Sequence, residues 1–414
     1  MVGNTYTYRL VDWMTDILDI EEAGFDAIAL NLGSDCWQQN SVELAYQAVN
    51  KLRSPVKLFL SLDMSVWSQA DSDDAQTLAT LINKYATNPA QFLYNGLPFV
   101  STFSGDQYGS SFGLGLCDGW NELRSYVPTN MYFVPGFFFP ESTGITIANV
   151  SQCVEGLFQW NSAWSIDGTP VSSQTDLAWI EALGPNKTYM AGISPTFFTH
   201  YGADSLNKNF VYGSENNYAT RWQQVTNISA PLVQVITWND FGESHYIGHR
   251  PETTQNQPFE STWVNSHNHL PWLRITKPHI QVYKNGAPDS LASDTIVWEY
   301  RVHPANATAT DDVLDRPTGT EWLTDNVYIT AYLANPAEVR ITAGTLEGSF
   351  NGSAGLNYFV QPFTAGAVAV SMWRDGVNVG GTVTNEVNIT DTPAFYNYNP
   401  IVEQFFHDPV WQSC

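Results

Sequence analysis

Basic residues are scarce in this chain. Its 414 residues hold 17 Lys and Arg against 41 Asp and Glu, a formal net charge of -24. Such a surface repels phosphate, which argues against nucleic acid or an anionic membrane as partner and leaves a neutral polymer unpenalised. Cysteine is also rare. Cys36, Cys117, Cys153 and Cys414 allow three pairings, and their spacing does not choose among them. No run approaches 18 apolar residues, so no membrane-spanning helix is expected. The start, Met1-Val2-Gly3-Asn4, lacks the apolar stretch of a signal peptide and reads as processed or recut. Absent motifs narrow the chemistry. No G-x-G-x-x-G follows an early apolar run, which disfavours a dinucleotide-binding sheet. His245 and His249 stand four apart without an H-E-x-x-H, so a catalytic metal is not expected. A Ser-His-Asp triad lacks its G-x-S-x-G elbow.

What is abundant is aromatic: 15 Trp and 20 Tyr. Cores use such rings, and so do sugar clefts, where the apolar face of a pyranose lies on them. Six N-x-[ST] sequons, at Asn149, Asn186, Asn227, Asn306, Asn351 and Asn388, lean towards a secreted, extracellular or cell-wall protein. With 43% hydrophobic and 14% charged residues the chain is globular, and its length suits two domains.

Residues 1–286 alternate apolar runs with amphipathic stretches. The runs are Phe25 to Leu32, Val56 to Leu62, Pro98 to Phe103, Tyr132 to Phe139, Gly156 to Trp160, Tyr189 to Ile193 and Leu232 to Thr237. Near-continuous apolarity suits parallel strands covered on both faces. Met1 to Asn4 would supply an eighth. Helices are expected over Asp12 to Ala23, over Val42 to Leu52 with Ser41 as cap, from Ser72 or Asp73, from Thr175 or Asp176, over Asn217 to Val225 and over Asn268 to Tyr283. The alternation predicts an α/β fold, a (β/α)8 TIM barrel. Residues 287–414 lose helical periodicity. Short alternating runs at 295–300, 326–330, 337–342 and 367–371 predict a C-terminal antiparallel β-sandwich domain, with a long loop over Asp311 to Thr320.

Barrel enzymes act at the C-terminal ends of their strands. That rule gathers Asn31, Asp63, Trp160, Asn161, Trp164, Trp238, Asn239, Asp240, Glu243 and His245 at one rim. Three of these are carboxylates. Glycoside hydrolysis needs two, one protonated to aid the leaving oxygen and one ionised to activate water or attack the sugar. Each residue also has a plainer reading. Asp240 and Glu243 could cap a helix, Asp63 could be a buried anchor, and the tryptophans could be core.

Several blocks resemble fungal α-1,3-glucanases, the mutanases of glycoside hydrolase family 71. They are Met1-Val2-Gly3-Asn4-Thr5-Tyr6, Phe25 to Asn31, Leu60-Ser61-Leu62-Asp63-Met64, Gly156 to Asn161 and, most specifically, Trp238-Asn239-Asp240-Phe241-Gly242-Glu243-Ser244. The resemblance covers the barrel, about two-thirds of the chain. It implies hydrolysis of α-1,3-glucan with inversion and no cofactor, and Asp240, Glu243 and Asp63 as the catalytic group. On this reading Glu243 is the general acid, Asp240 the base, and Asp63 a residue that orients water or a hydroxyl. Trp160, Trp164 and Trp238 would stack sugars. Asn31, Asn161, Asn239 and His245 would complete the substrate rim. A monomer and endo action are expected. The family usually carries a few strand residues, including a His, before the Met-Val-Gly-Asn stretch, so the first strand should be short here. Two rival readings are a wall-polysaccharide binding protein without catalysis and an enzyme acting on, or transferring, another α-glucan.

Overall fold

The computed structural model describes residues 1–108, 114–139, 146–213, 216–251, 261–289, 293–384 and 387–407. Strands come in the expected order: β1 (Ala27–Leu32), β2 (Lys57–Asp63), β3 (Leu93–Tyr94), β4 (Leu97–Phe103), β5 (Tyr132–Pro135), β6 (Gly156–Gln159) and β7 (Thr188–Ile193). A short hairpin follows, β8 (Phe198–His200) and β9 (Asn209–Val211), and then β10 (Leu232–Val235). Parallel pairing runs from β1 through β2 and β4 to β5, and from β6 through β7 to β10. A parallel bridge between Gly136 and Phe158 joins the two sets. These strands therefore lie side by side in chain order.

Both faces of the strands are buried, which explains their continuous apolar runs. Along β2, Leu58, Leu60 and Leu62 enter one cluster, while Phe59 points the other way, towards Phe99, Phe158 and Met190.

Met1 to Asn4 does not form the expected strand. Val2–Asn4 is a 3-10 turn between β1 and the segment after β10. Asn239 captures both its ends: the Met1 nitrogen donates to Asn239 Oδ1 at 2.7 Å, and Asn4 Nδ2 donates to the Asn239 carbonyl at 2.8 Å. Four residues bound at both ends have no length left to run along β1. A cavity of about 250 Å³ remains in this seam, lined by Ala27, Ala29, Phe59, Leu232 and Gln234 among others.

Helices α1 (Leu10–Ala23), α2 (Cys36–Leu52), α3 (Ser72–Tyr85), α4 (Leu116–Ser125), α5 (Ile147–Val150), α6 (Ser173–Leu183), α7 (Asn217–Asn227), α8 (Ser261–Val264) and α9 (Leu270–Asn285) fall between strands or follow them. Gly24 ends α1 with φ 89°, a left-handed conformation that favours glycine. Asp71 caps α3 by accepting from the amides of Asp73 and Asp74. Ser41 is not a cap, because α2 begins five residues earlier. Its hydroxyl is instead buried against Thr5 Oγ1 at 2.6 Å and Trp13 Nε1 at 3.3 Å. Cys117 and Cys153 form a disulfide. Closing a loop of that length removes about 4 kcal/mol of unfolded-state entropy in the chain-entropy account. Cys36 is free and exposed, and Cys414 lies outside the described residues.

Eight further strands follow: β11 (Asp294–Tyr300), β12 (Asn326–Leu333), β13 (Ala337–Ala343), β14 (Leu346–Gly352), β15 (Gly355–Pro362), β16 (Val368–Arg374), β17 (Val377–Thr384) and β18 (Ile401–His407). They form two antiparallel sheets, ordered β15-β12-β11-β18 and β14-β13-β16-β17. One apolar core serves both: Trp298, Ile329 and Ile401 from the first meet Val339, Ile341 and Val370 from the second. Between β11 and β12, a short 3-10 turn at Thr320–Trp322 follows the irregular segment 301–319. This segment reaches back to the hairpin. Val211 N donates to Thr318 O at 2.8 Å, and Thr318 N to Asn209 O at 3.2 Å.

Candidate active site

Asp240 and Glu243 sit in a tight turn just after β10. Residues 240–248 contain turns and no helix, so neither carboxylate caps a helix. Backbone bonds pin the loop at both ends, from Thr237 N to His245 O at 2.9 Å and from Ile247 N to Thr237 O at 3.0 Å. Inside it, Asp240 N donates to Thr237 Oγ1 at 2.9 Å. One oxygen of each carboxylate and a ring nitrogen of His245 all lie within 4.8 Å of one another.

Two such carboxyls do not share one charge state. Burial pushes Asp240 up to about 6, and the charge of Glu243 pushes the same way; His245, the Met1 amine and Lys208 oppose this. Burial also acts upward on Glu243. There it is outweighed by the hydrogen bond and charge of His245 and by Lys208, which bring Glu243 down to about 2. The contacts are short: His245 Nε2 lies 3.0 Å from Oε2, and Lys208 Nζ donates to Oε1 at 2.9 Å. The geometry could also suggest a cation site. However, both His245 nitrogens are engaged, Nδ1 with Thr237 Oγ1 at 3.0 Å and Nε2 with Glu243. Lys208 already supplies positive charge beside Glu243.

Asp63, at the end of β2, joins this group. Its carboxyl accepts from Ser65 N at 3.1 Å and from the Ser65 hydroxyl. Burial raises it, and the charges of Lys208 and Glu243 both reach it. Asn31 lies one residue before the end of β1, buried, with Nδ2 3.5 Å from Ser61 O. Asn161 is exposed after β6.

Other rim residues do different work from that expected. Asn239 is 3% exposed and spends its side chain on the Met1 turn, leaving little for a sugar hydroxyl. His245 is 1% exposed and orients Glu243 from behind. Trp164 is 5% exposed and stacks on His245, with ring centroids 5.4 Å apart, so that face is closed to a sugar. Trp160 is 9% exposed and packs edge-on against Phe103 inside the strand layer. Trp238 lies over Gly248, where any Cβ would meet its ring at 2.4 Å. Trp160 and Trp164 belong to one apolar cluster, and Trp238 packs partly buried against another.

Sequence reasoning missed Lys208, Tyr212 and Thr237. Tyr212 is raised by burial and by the nearby Glu243 charge. Only the rarity of basic residues singles out Lys208, since its loop carries no motif.

Two carboxyls with opposite shifts thus share the loop after β10 with a buried imidazole, and a lysine reaches one of them. The family model described as Glycosyl hydrolase family 71 matches residues 1–412, and the chain belongs to that family of glycoside hydrolases. It is 32% identical over 410 residues to a glucan endo-1,3-alpha-glucosidase of Schizosaccharomyces pombe, covering 96% of this chain and 92% of that protein. Similarity to a mutanase of Penicillium rubens is 30% over 417 residues, covering 97% and 86%. An ascus wall endo-1,3-alpha-glucanase of S. pombe is 31% identical over 422 residues, covering 96% and 94%. Among solved structures, a GH99 endo-alpha-mannosidase from Bacteroides thetaiotaomicron matches with TM-score 0.50 and 12% identity, over 67% of this chain and 80% of that one. This last likeness concerns the fold alone.

Proposed function

We propose that this protein hydrolyses α-1,3-glucosidic bonds within α-1,3-glucan, acting at the cell wall or outside the cell. The observation that carries the proposal is the Asp240–Glu243 pair with its opposed shifts. The names of the similar fungal glucanases supply the linkage. The proposal includes a closed (β/α)8 barrel over residues 1–286, with the Met1 turn filling the eighth place, and a β-sandwich domain over residues 287–414. No helix of the described residues is long and apolar enough to cross a membrane.

The charge states favour roles opposite to those expected from the sequence, where Glu243 reads as the acid and Asp240 as the base. Asp240 holds its proton towards neutrality and suits the general acid. Glu243 is ionised and suits the base that activates water, with Asp63 orienting that water. Inversion normally needs the carboxyls roughly 6.5–9.5 Å apart. Their nearest oxygens stand closer here, within 4.8 Å.

The test is to change Asp240→Asn and Glu243→Gln singly and assay insoluble α-1,3-glucan. Each variant should lose roughly 10²–10⁴-fold in rate while still binding glucan. Near-normal activity in either would sink the pair. Binding by the wild type without new reducing ends would favour a lectin instead. NMR of the first product should show the β-anomer; an initial α-anomer would refute inversion.

A further inference from the structure

Lys208 is 46% exposed, on a loop, and carries a long flexible side chain. Such a lysine loses about 2 kcal/mol of rotamer entropy when fixed, so its ion pair with Glu243 depends on where the backbone holds it. That backbone is the turn of the β8–β9 hairpin. Phe198 N donates to the Glu243 carbonyl at 3.1 Å, and Tyr201 N donates to the Lys208 carbonyl at 2.7 Å. The outer side of the hairpin is held by the long loop between β11 and β12. His200 is central to this contact. Its Nδ1 lies 2.6 Å from Asn209 Oδ1, and its Nε2 lies 2.9 Å from Asp312 Oδ2. Asn209 Nδ2 donates to Asp315 O at 2.9 Å, which fixes which end of the amide faces His200. Both ring nitrogens thus have a hydrogen-bond partner, Asn209 Oδ1 on one side and Asp312 Oδ2 on the other. Asp312 is anchored in turn by Leu314 N at 3.0 Å and Tyr396 N at 2.8 Å. Both His200 and Asp312 are buried, with side chains 8% and 5% exposed.

We propose that Asp312 and His200 are positioning residues for the reaction: they latch the hairpin so that Lys208 stays on Glu243. The C-terminal sheets thereby contribute to the chemistry through the 311–320 loop. This inference rests on the reading of Glu243 as an ionised base. The titratable groups facing Glu243 are His245, Lys208, Asp240, Asp63 and Tyr212. Of these, Lys208 in the hairpin turn and Tyr212 directly after β9 sit on the latched segment, and Lys208 carries the charge.

The experiment measures kcat/KM against pH for the full chain, for Lys208→Met, for Asp312→Ala and for the double variant. Removing Lys208 raises the Glu243 pKa, so the acid limb should move up by about one pH unit. Asp312→Ala should move the same limb in the same direction. The double variant should move no further than Lys208→Met alone. A purely structural Asp312 would lower Tm and leave the limb unmoved, and that result overturns the latch. No shift in Lys208→Met also overturns it. If Asp312→Ala does not fold, Asp312→Asn keeps the size and one acceptor oxygen for Leu314 N, loses the second acceptor and the charge, and is judged by the same limb. Near-normal activity of Glu243→Gln would instead overturn the base assignment, a separate failure.

Discussion

His245 holds Glu243 from within the core, with Nε2 3.0 Å from the carboxylate and Nδ1 3.0 Å from Thr237 Oγ1. Trp164 backs the imidazole, its ring nearly parallel at 23°. Trp164→Ala should therefore reduce kcat, by roughly tenfold or more, and change KM little. Steady-state kinetics on soluble α-1,3-oligosaccharides would check this. A large rise in KM at unchanged kcat would mean that Trp164 meets sugar directly.

The opposed carboxyl shifts set a pH profile. Asp240, raised to about 6, must keep its proton to act as acid, so kcat/KM should fall about tenfold per pH unit above 6. Glu243, near 2, keeps the base ionised through the mildly acid range. The apparent values belong to the pair and not to either residue alone. A rate that stays flat from pH 6 to 8 would exclude Asp240 as the acid.

Asp16 gives a second pH effect, on stability. It is 3% exposed on α1, and burial raises it to about 7, with Tyr8 and Trp238 drawing it partly back. The folded state binds this proton more tightly than the unfolded chain does. Its contribution is thus whole below about pH 4 and lost as pH rises towards about 7, amounting to about 4 kcal/mol. Asp16→Asn should remove that part of the pH dependence in urea titrations. Identical pH dependence in variant and wild type would refute the assignment.

Arg221 and Asp176 form a buried bidentate pair, with both contacts at 2.9 Å. Tyr189 adds its hydroxyl to Asp176 at 2.6 Å, and Arg221 also reaches the Gly192 carbonyl at 3.3 Å. The pair ties α6 and α7 to β7. Asp176→Ala would leave a buried guanidinium without its carboxylate and should cost about 3–5 kcal/mol. Thermal unfolding would measure it. A change below 1 kcal/mol would mean that water relieves the arginine.

Apart from Met1 to Asn4, which forms no strand, the expected runs and the strands found agree to within four residues at their ends. Apolar runs such as Phe25 to Leu32 show in sequence because both faces of the strand are buried. The alternation at 337–342 shows because one face meets the shared core and the other does not. Asp63, Asp240 and Glu243 were legible by position, Asp63 at the end of β2 and the other two in the loop after β10. The fates of Trp164, Asn239 and His245 were not. A tryptophan after a strand reads the same whether it meets sugar or covers an imidazole, and only packing decides. Ser41 misled for a related reason: its hydroxyl suits a cap, but a tertiary partner, Thr5, claimed it.

Local periodicity, turn chemistry and motif by themselves determined the order of elements, the change of texture near residue 287 and the carboxylate motif. Tertiary structure decided which carboxyl keeps its proton, because that depends on burial and on charges brought from elsewhere in the chain. Lys208 lies 35 residues from Glu243. Asp312 lies 112 residues from His200. No spacing rule spans such distances, and electrostatic energy depends on separation in space.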